Sequence, residues 1–331
     1  MQYRKLGSSN LEVSIISFGA WQIGDSQYWG VEEQADAEAT VAAALDAGIN
    51  LFDTAEMYGS GESERVLGRA LGSKRDSVTI ASKVWPDKCS PALLRKTCEE
   101  SLRRLNTDAI DLYQIHWPPR DVPFADVYAT LAALRDEGKI RMIGVSNFGA
   151  TDLAEWMSVG ECVSDQLGYN ILFRAIEHEI VPACQHYGVG ILAYLPLMQG
   201  LLAGRWDKAG DMPVPRRRSR HFAGTREGTR HGEPGCEDLT FEAVSRIRNV
   251  ANRLEQPMAN VSLAWLMAQP GVTSVIVGAR RADQLRRNLE AVNLLLSEET
   301  LKELDSISQP LKDYFGLNAD LWLSENDRRV R

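Results

Sequence analysis

The chain has 331 residues, 44% of them hydrophobic and 25% charged, with a formal net charge of -8. That is enough apolar material to bury a core without disulfides or metal, and the acidic balance argues against nucleic-acid binding, which needs clustered Lys and Arg. Residues 1–10 contain no signal-type apolar stretch, and no apolar run reaches the roughly 18 residues that span a bilayer, so a cytoplasmic protein with no membrane partner is expected.

Eight short runs rich in apolar and β-branched residues follow one another at 13–18, 49–53, 78–82, 110–115, 142–145, 164–167, 190–194 and 272–277. Each is continuous and a few residues long, the pattern of a strand buried on both faces. Helical patterns lie between them. Residues 40–47 are Ala-rich and close on Gly48, a helix stop. Residues 91–105 follow Ser90 as N-cap, with Pro91 at the first helical position. Residues 127–137 close on Gly138, and 241–254 carry Phe241, Val244, Ile247, Val250 and Leu254 on one face. Strands alternating with helices predict a parallel sheet, and the length suits a (β/α)8 TIM barrel over 1–331 as a single domain. The surplus length falls after the seventh strand, at 205–240, which is rich in Gly, Pro and Arg and has no apolar period. It reads as a long loop and a candidate lid. Its basic run, Arg216 to Arg218 with Arg220, reads as a solvated face, with an anion as the alternative partner. The five cysteines are odd in number and lack C-x-x-C spacing. They read as free thiols in a reducing compartment, with no zinc site.

In such a barrel the chemistry gathers at the C-terminal ends of the strands. The predicted second strand ends in Asp53, followed shortly by Tyr58. The third ends in Lys83, the fourth in His116, the fifth in Ser146 and Asn147, the sixth in Gln166 and the seventh in Tyr194. Singly, Asp53 could cap a helix, Lys83 could be a surface stem and His116 a core histidine. As a set they converge on one mouth. A nearby ammonium lowers the pKa of a tyrosine, and Asp53 would hold that ammonium charged, which suits Tyr58 as a general acid toward a carbonyl oxygen. No side chain here is a hydride source, so a cofactor must supply one. Gly59-Ser60-Gly61 imitates the start of a dinucleotide fingerprint, but the third glycine is missing. Trp21, Tyr28, Trp29, Trp85 and Trp117 follow strands closely and could wall a wide aromatic pocket; His178 and His186 read as structural.

Asp53-Thr54-Ala55-x-x-Tyr58-Gly59, Ser82-Lys83, Asp111-Leu112-Tyr113-x-Ile115-His116, Gly144-Val145-Ser146-Asn147-Phe148, Gln166-x-x-Tyr169-Asn170 and Gly278-Ala279-Arg280 occur in that order along the chain. In this set the chain resembles the aldo-keto reductase superfamily, most of all the bacterial general-stress-protein-type reductases. The resemblance implies NADPH-dependent reduction of an aldehyde or ketone, with Asp53, Tyr58, Lys83 and His116 as the catalytic four. It implies Ser146, Asn147 and Gln166 on the nicotinamide carboxamide and Tyr194 on the nicotinamide ring. Leu195, Pro196, Leu197, Gly200, Leu202, Gly204 and Arg205 would run over the pyrophosphate, and Gly278, Arg280, Gln284 and Asn288 would hold the adenosine end. Arg280 suits a 2′-phosphate and so favours NADPH. Leu195 stands where many members have Ser, and Gln284 where many have Arg. Trp21, Trp85 and Trp117 are the expected substrate contacts, for a small carbonyl compound, a sugar-derived or short polar aldehyde. Two other readings compete: a nicotinamide-binding regulatory subunit with little turnover, and a Schiff-base aldolase with Lys83 as nucleophile. The oligomeric state stays open, with a monomer compatible.

Overall fold

The computed structural model describes residues 1–30 and 34–331. Eight parallel strands close into a barrel: β3 (Ile16–Gly19), β4 (Leu51–Asp53), β5 (Thr79–Val84), β6 (Ile110–Ile115), β7 (Ile140–Ser146), β8 (Ser164–Gly168), β9 (Gly190–Tyr194) and β10 (Val272–Gly278), with β10 pairing back onto β3. Helices pack around it. Before the barrel come β1 (Tyr3–Lys5) and β2 (Glu12–Ser14), an antiparallel pair. The expected strand at 13–18 is therefore two strands in tandem. The chain leaves the hairpin at Ile15, whose amide bonds to Gln2 O at 2.9 Å, and enters the barrel one residue later. A continuous apolar run cannot reveal such a break, because both strands are buried.

Successive strand residues alternate between the barrel interior and the helix layer. Leu51, Ala81, Leu112, Leu192 and Ile276 form an inner cluster with Leu6 and Val13 of the hairpin, which plug the bottom of the barrel. Two residues further along the same strands lie Asp53, Lys83, Gln114, Tyr194 and Gly278. The period of two that fills the floor with apolar side chains thus raises the polar ones into the layer above.

Helix limits differ modestly from expectation. The helices are Gln34–Asp46, Phe124–Asp136 and Glu237–Arg253, each beginning earlier than its apolar periodicity. Pro91–Leu105 begins as expected, but the Ser90 side chain makes no cap hydrogen bond. Gly48 (φ 81°) and Gly138 (φ 77°) take the left-handed conformation that favours glycine at a helix end. All five cysteines are free and buried. Among the described residues, no helix is long and apolar enough to cross a membrane.

The basic run at 216–220 is not a solvated face. The Arg216 guanidinium lies 5.0 Å from the Trp29 ring and that of Arg218 5.0 Å from Tyr28. Arg220 is 4% exposed, pairs with Glu233 at 2.8 Å and donates to Asn318 O at 3.1 Å. A planar guanidinium loses less on leaving water when it stacks on a ring or forks onto fixed acceptors. Composition alone does not reveal such partners.

Candidate active site

A cleft of about 750 Å³ opens at the C-terminal ends of the strands. Behind its wall, fully buried Lys83 donates to Asp53 Oδ1 at 2.7 Å, to Thr54 O at 2.8 Å and to Tyr58 Oη at 3.3 Å. All three ammonium N–H bonds are engaged. Since Tyr58 Oη accepts from Lys83, its own proton is left to point elsewhere. The Tyr58 ring stacks on Trp21 at 5.4 Å and meets His116 edge-on at 5.7 Å; His116 in turn meets Trp85 at 5.1 Å. Lys83 does not end its strand, as β5 continues through Val84. By pattern alone an apolar run stops at a lysine, whereas here Asp53 makes the buried ammonium tolerable.

The electrostatics modify one expectation. The Tyr58 hydroxyl is pushed well above its usual pKa, first by burial and then by the Asp53 carboxylate. The Lys83 ammonium does not reverse that direction, because Asp53 lies hard against it. Tyr58 is thus a fully protonated phenol at neutral pH. His116 is held well below the usual imidazole value, first by burial, then by Lys83 and Arg329. It is neutral, and its Nδ1 is buried without a hydrogen-bond partner among the described residues.

Beside these groups lies a polar shelf. Gln166 Nε2 donates to Asp53 Oδ2 at 2.7 Å, Ser146 Oγ to Gln166 O at 2.8 Å, and Asn147 Nδ2 to His116 O at 3.0 Å. Tyr194 Oη donates to Asn147 Oδ1 at 2.7 Å. Asn147 adopts φ 60°, a left-handed conformation that Asn tolerates better than most residues. The following loop turns sharply, with Leu195 at φ 54°, Gln199 at 56° and Gly200 at 99°. Gln284 Oε1 accepts from the Arg280 amide at 3.2 Å. A Cβ on Gly278 would lie 2.7 Å from the Gln22 side-chain amide, which explains a glycine there.

The cleft wall contains Tyr58, Asp53 and His116 with Ser146, Asn147, Gln166 and Tyr194. It also holds Leu195, Pro196, Leu197, Gly200 and Arg205, then Gly278, Arg280 and Gln284, and finally Trp21, Trp85 and Trp117. Leu202, Gly204 and Asn288 are not in that wall. Leu202 is fully buried and packs in the core, and Asn288 is 7% exposed with its Nδ2 unpartnered among the described residues. Tyr28, expected among the wall aromatics, instead bridges. Its hydroxyl donates to Pro215 O at 2.7 Å and accepts from Gln199 Nε2 at 2.8 Å.

Sequence reasoning missed a third side of the cleft. Residues 316–331 fold back over it and add Trp322 and Arg329, with the Arg329 guanidinium 3.5 Å from the Trp117 ring. Asp152 anchors this segment, accepting from Arg120 Nη1 at 2.6 Å and from the Arg331 amide at 2.9 Å. No periodicity marks such a tail.

The closed (β/α)8 barrel thus carries a buried Lys–Asp pair behind a cleft-facing tyrosine. The aldo/keto reductase family model matches residues 15–309, and the chain belongs to that family. It is 32% identical over 322 residues to the aldo-keto reductase YhdN of Bacillus subtilis, covering 93% of each chain. It is 31% identical over 330 residues to the NADH-specific methylglyoxal reductase of Escherichia coli, covering 93% of this chain and 98% of the other. Among solved structures it resembles an aldo-keto reductase from Klebsiella pneumoniae in complex with NADPH, with a TM-score of 0.74, 28% identity, and coverage of 100% and 99%.

Proposed function

We propose that this oxidoreductase reduces an aldehyde or ketone to the alcohol with NADPH, and that Tyr58 is the proton donor. The observation that carries this reading is the Lys83 hydrogen bond to Tyr58 Oη. It occupies the phenol oxygen from behind and leaves the O–H to donate to a carbonyl oxygen in the cleft.

The residues present fit a phosphorylated dinucleotide. Arg216 is kept below its usual pKa mainly by burial, with Arg205 and Arg280 adding to the effect. Three mutually repelling guanidinium groups at one end of a cleft fit a polyanion. The polar shelf of Ser146, Asn147 and Gln166 fits an amide, provided Asn147 exchanges one of its internal hydrogen bonds for it. When bound, the reduced nicotinamide supplies the hydride. Asp53 fixes Lys83, and Lys83 stabilises negative charge arising on Tyr58 as its proton leaves. Neutral His116 offers a ring nitrogen to the same substrate oxygen. Trp21, Trp85 and Trp117 flank the reacting carbonyl and exclude water. Arg280 supports NADPH over NADH, and the strap at 205–240 acts as a lid latched through Tyr28 and Trp29.

Tyr58→Phe tests the assignment. Its kcat should fall at least about a hundredfold, the scale of a lost general acid, while NADPH still quenches tryptophan fluorescence with unchanged affinity. Undiminished turnover would remove Tyr58 from the mechanism. Absence of turnover in the parent protein, with NADPH still bound, would favour the regulatory-subunit reading.

A further inference from the structure

Building on the reductase reading, we propose that the physiological substrates are carbonyl compounds bearing an anionic group, a carboxylate above all, held by Arg329 and Arg230. Three observations converge on this. First, the Arg329 guanidinium sits 3.5 Å from the ring centre of Trp117, the residue directly after His116, and lines the cleft. Its charge reaches the reacting end, since it contributes to the depression of His116.

Second, the partner of Arg329 is itself heavily engaged. Asp320 is fully buried and accepts from Arg329 Nε at 2.8 Å and Nη2 at 3.0 Å. It also accepts from the amides of Trp322 at 3.0 Å, Leu323 at 3.3 Å and Arg329 at 3.2 Å. Five donors share one carboxylate, so the guanidinium keeps net positive character toward the cleft. Its Nη1 has no hydrogen-bond partner among the described residues.

Third, Arg230 is exposed, lines the same cleft and makes no ion pair among the described residues. It lies two residues before Gly232, whose amide donates to Ser324 Oγ at 3.4 Å on the tail that carries Arg329.

The cations Arg216 and Arg218 sit on Trp29 and Tyr28, with Arg205 and Arg280 near Arg216, and belong to the dinucleotide end. Arg329 stands apart from that group, beside the aromatic walls that take the body of the substrate. A neutral aldehyde would leave it facing only water. A carboxylate would meet it in a partly desolvated site, where charge-assisted hydrogen bonds are strong.

The test compares matched pairs under saturating NADPH: 4-carboxybenzaldehyde with its methyl ester, and 4-oxobutanoate with its methyl ester. The acids should show kcat/KM at least tenfold above the esters, carried by KM and eroded by added salt. Arg329→Gln should raise KM for the acids at least fivefold more than it raises KM for the esters. Because that change also strips a partner from Asp320, Arg230→Gln is the second variant; it alters an exposed side chain and should shift the acids in the same direction. Equal kcat/KM for acid and ester overturns the inference and leaves the reductase reading standing. Equal losses on acid and ester in both variants also overturn it. Reduction of none of the four aldehydes overturns the reductase reading and the inference with it.

Discussion

Lys83→Met retains most of the side chain's length and removes its charge. In the native protein the ammonium is fully buried and satisfies Asp53 Oδ1, Thr54 O and Tyr58 Oη together. The substitution leaves a nearly buried Asp53 carboxylate with Gln166 Nε2 and no counter-charge. Breaking a buried pair from one side costs about 3–5 kcal/mol, because the remaining charge is uncompensated. Removing both charges, with Asp53→Asn and Lys83→Met, should restore about 2–3 kcal/mol of that loss as coupling between the two sites. Catalysis should not recover alongside stability. Tyr58 loses its polarising donor in either variant, so kcat should stay at least about a hundredfold down in both. Urea denaturation followed by circular dichroism gives the stabilities, and steady-state NADPH oxidation gives kcat. The reasoning fails if Lys83→Met costs less than about 1 kcal/mol, below the range for a broken buried pair. It also fails if the double variant regains turnover, since Lys83 would then serve folding alone.

Three further outcomes follow from other parts of the molecule. Arg280→Met should weaken NADPH binding by about 10- to 100-fold, the scale of one lost charge-assisted hydrogen bond, and change NADH binding less than threefold; equal losses would show that Arg280 does not read the 2′-phosphate. His221 is buried, with Nε2 on Leu172 O at 3.0 Å, and burial pushes it down to about 4, with Arg220 and His231 adding and the Leu172 hydrogen bond opposing. The unfolded chain, at about 6.5, takes up that proton first, so stability is whole above pH 6.5 and falls by about 3 kcal/mol as pH drops toward 4. His221→Gln should flatten that part of the profile, and an unchanged slope would refute the assignment. In Gly149→Ala the new Cβ would fall 2.0 Å from Arg331 O. The segment 316–331 must then shift, raising substrate KM severalfold and opening the tail to limited proteolysis while NADPH affinity holds; an unmoved KM with a protected tail would refute this.

Most of the barrel was legible because each strand is short, apolar and buried on both faces, and such runs punctuate the chain at a β/α spacing. The misreadings at Lys83 and at the arginine run share one cause. Where a polar residue is stabilised by a distant partner, local pattern gives the wrong answer. Lys83 looked like the end of a strand because Asp53, 30 residues away, could not be seen beside it. Arg216, Arg218 and Arg220 looked solvated because Trp29, Tyr28 and Glu233 are brought to them only by the fold. The Asp53, Tyr58, Lys83 and His116 constellation could be read because barrel geometry equates strand ends. Trp322 and Arg329 could not, because their segment follows no strand. The direction of the Tyr58 shift depended on the balance of burial, Asp53 and Lys83, which spacing does not contain.

The burial of every thiol has a chemical consequence. Cys89 and Cys98 are pushed up to about 12 and Cys236 to about 11, chiefly by burial. Cys162 and Cys184 are driven well above the usual thiol value for the same reason. The thiolate is the nucleophile, so at neutral pH the chain presents almost none. The carbonyl compounds proposed as substrates are electrophiles that add to thiolates. With its sulfur locked in the core as neutral thiol, the protein offers such electrophiles almost nothing to trap as a hemithioacetal.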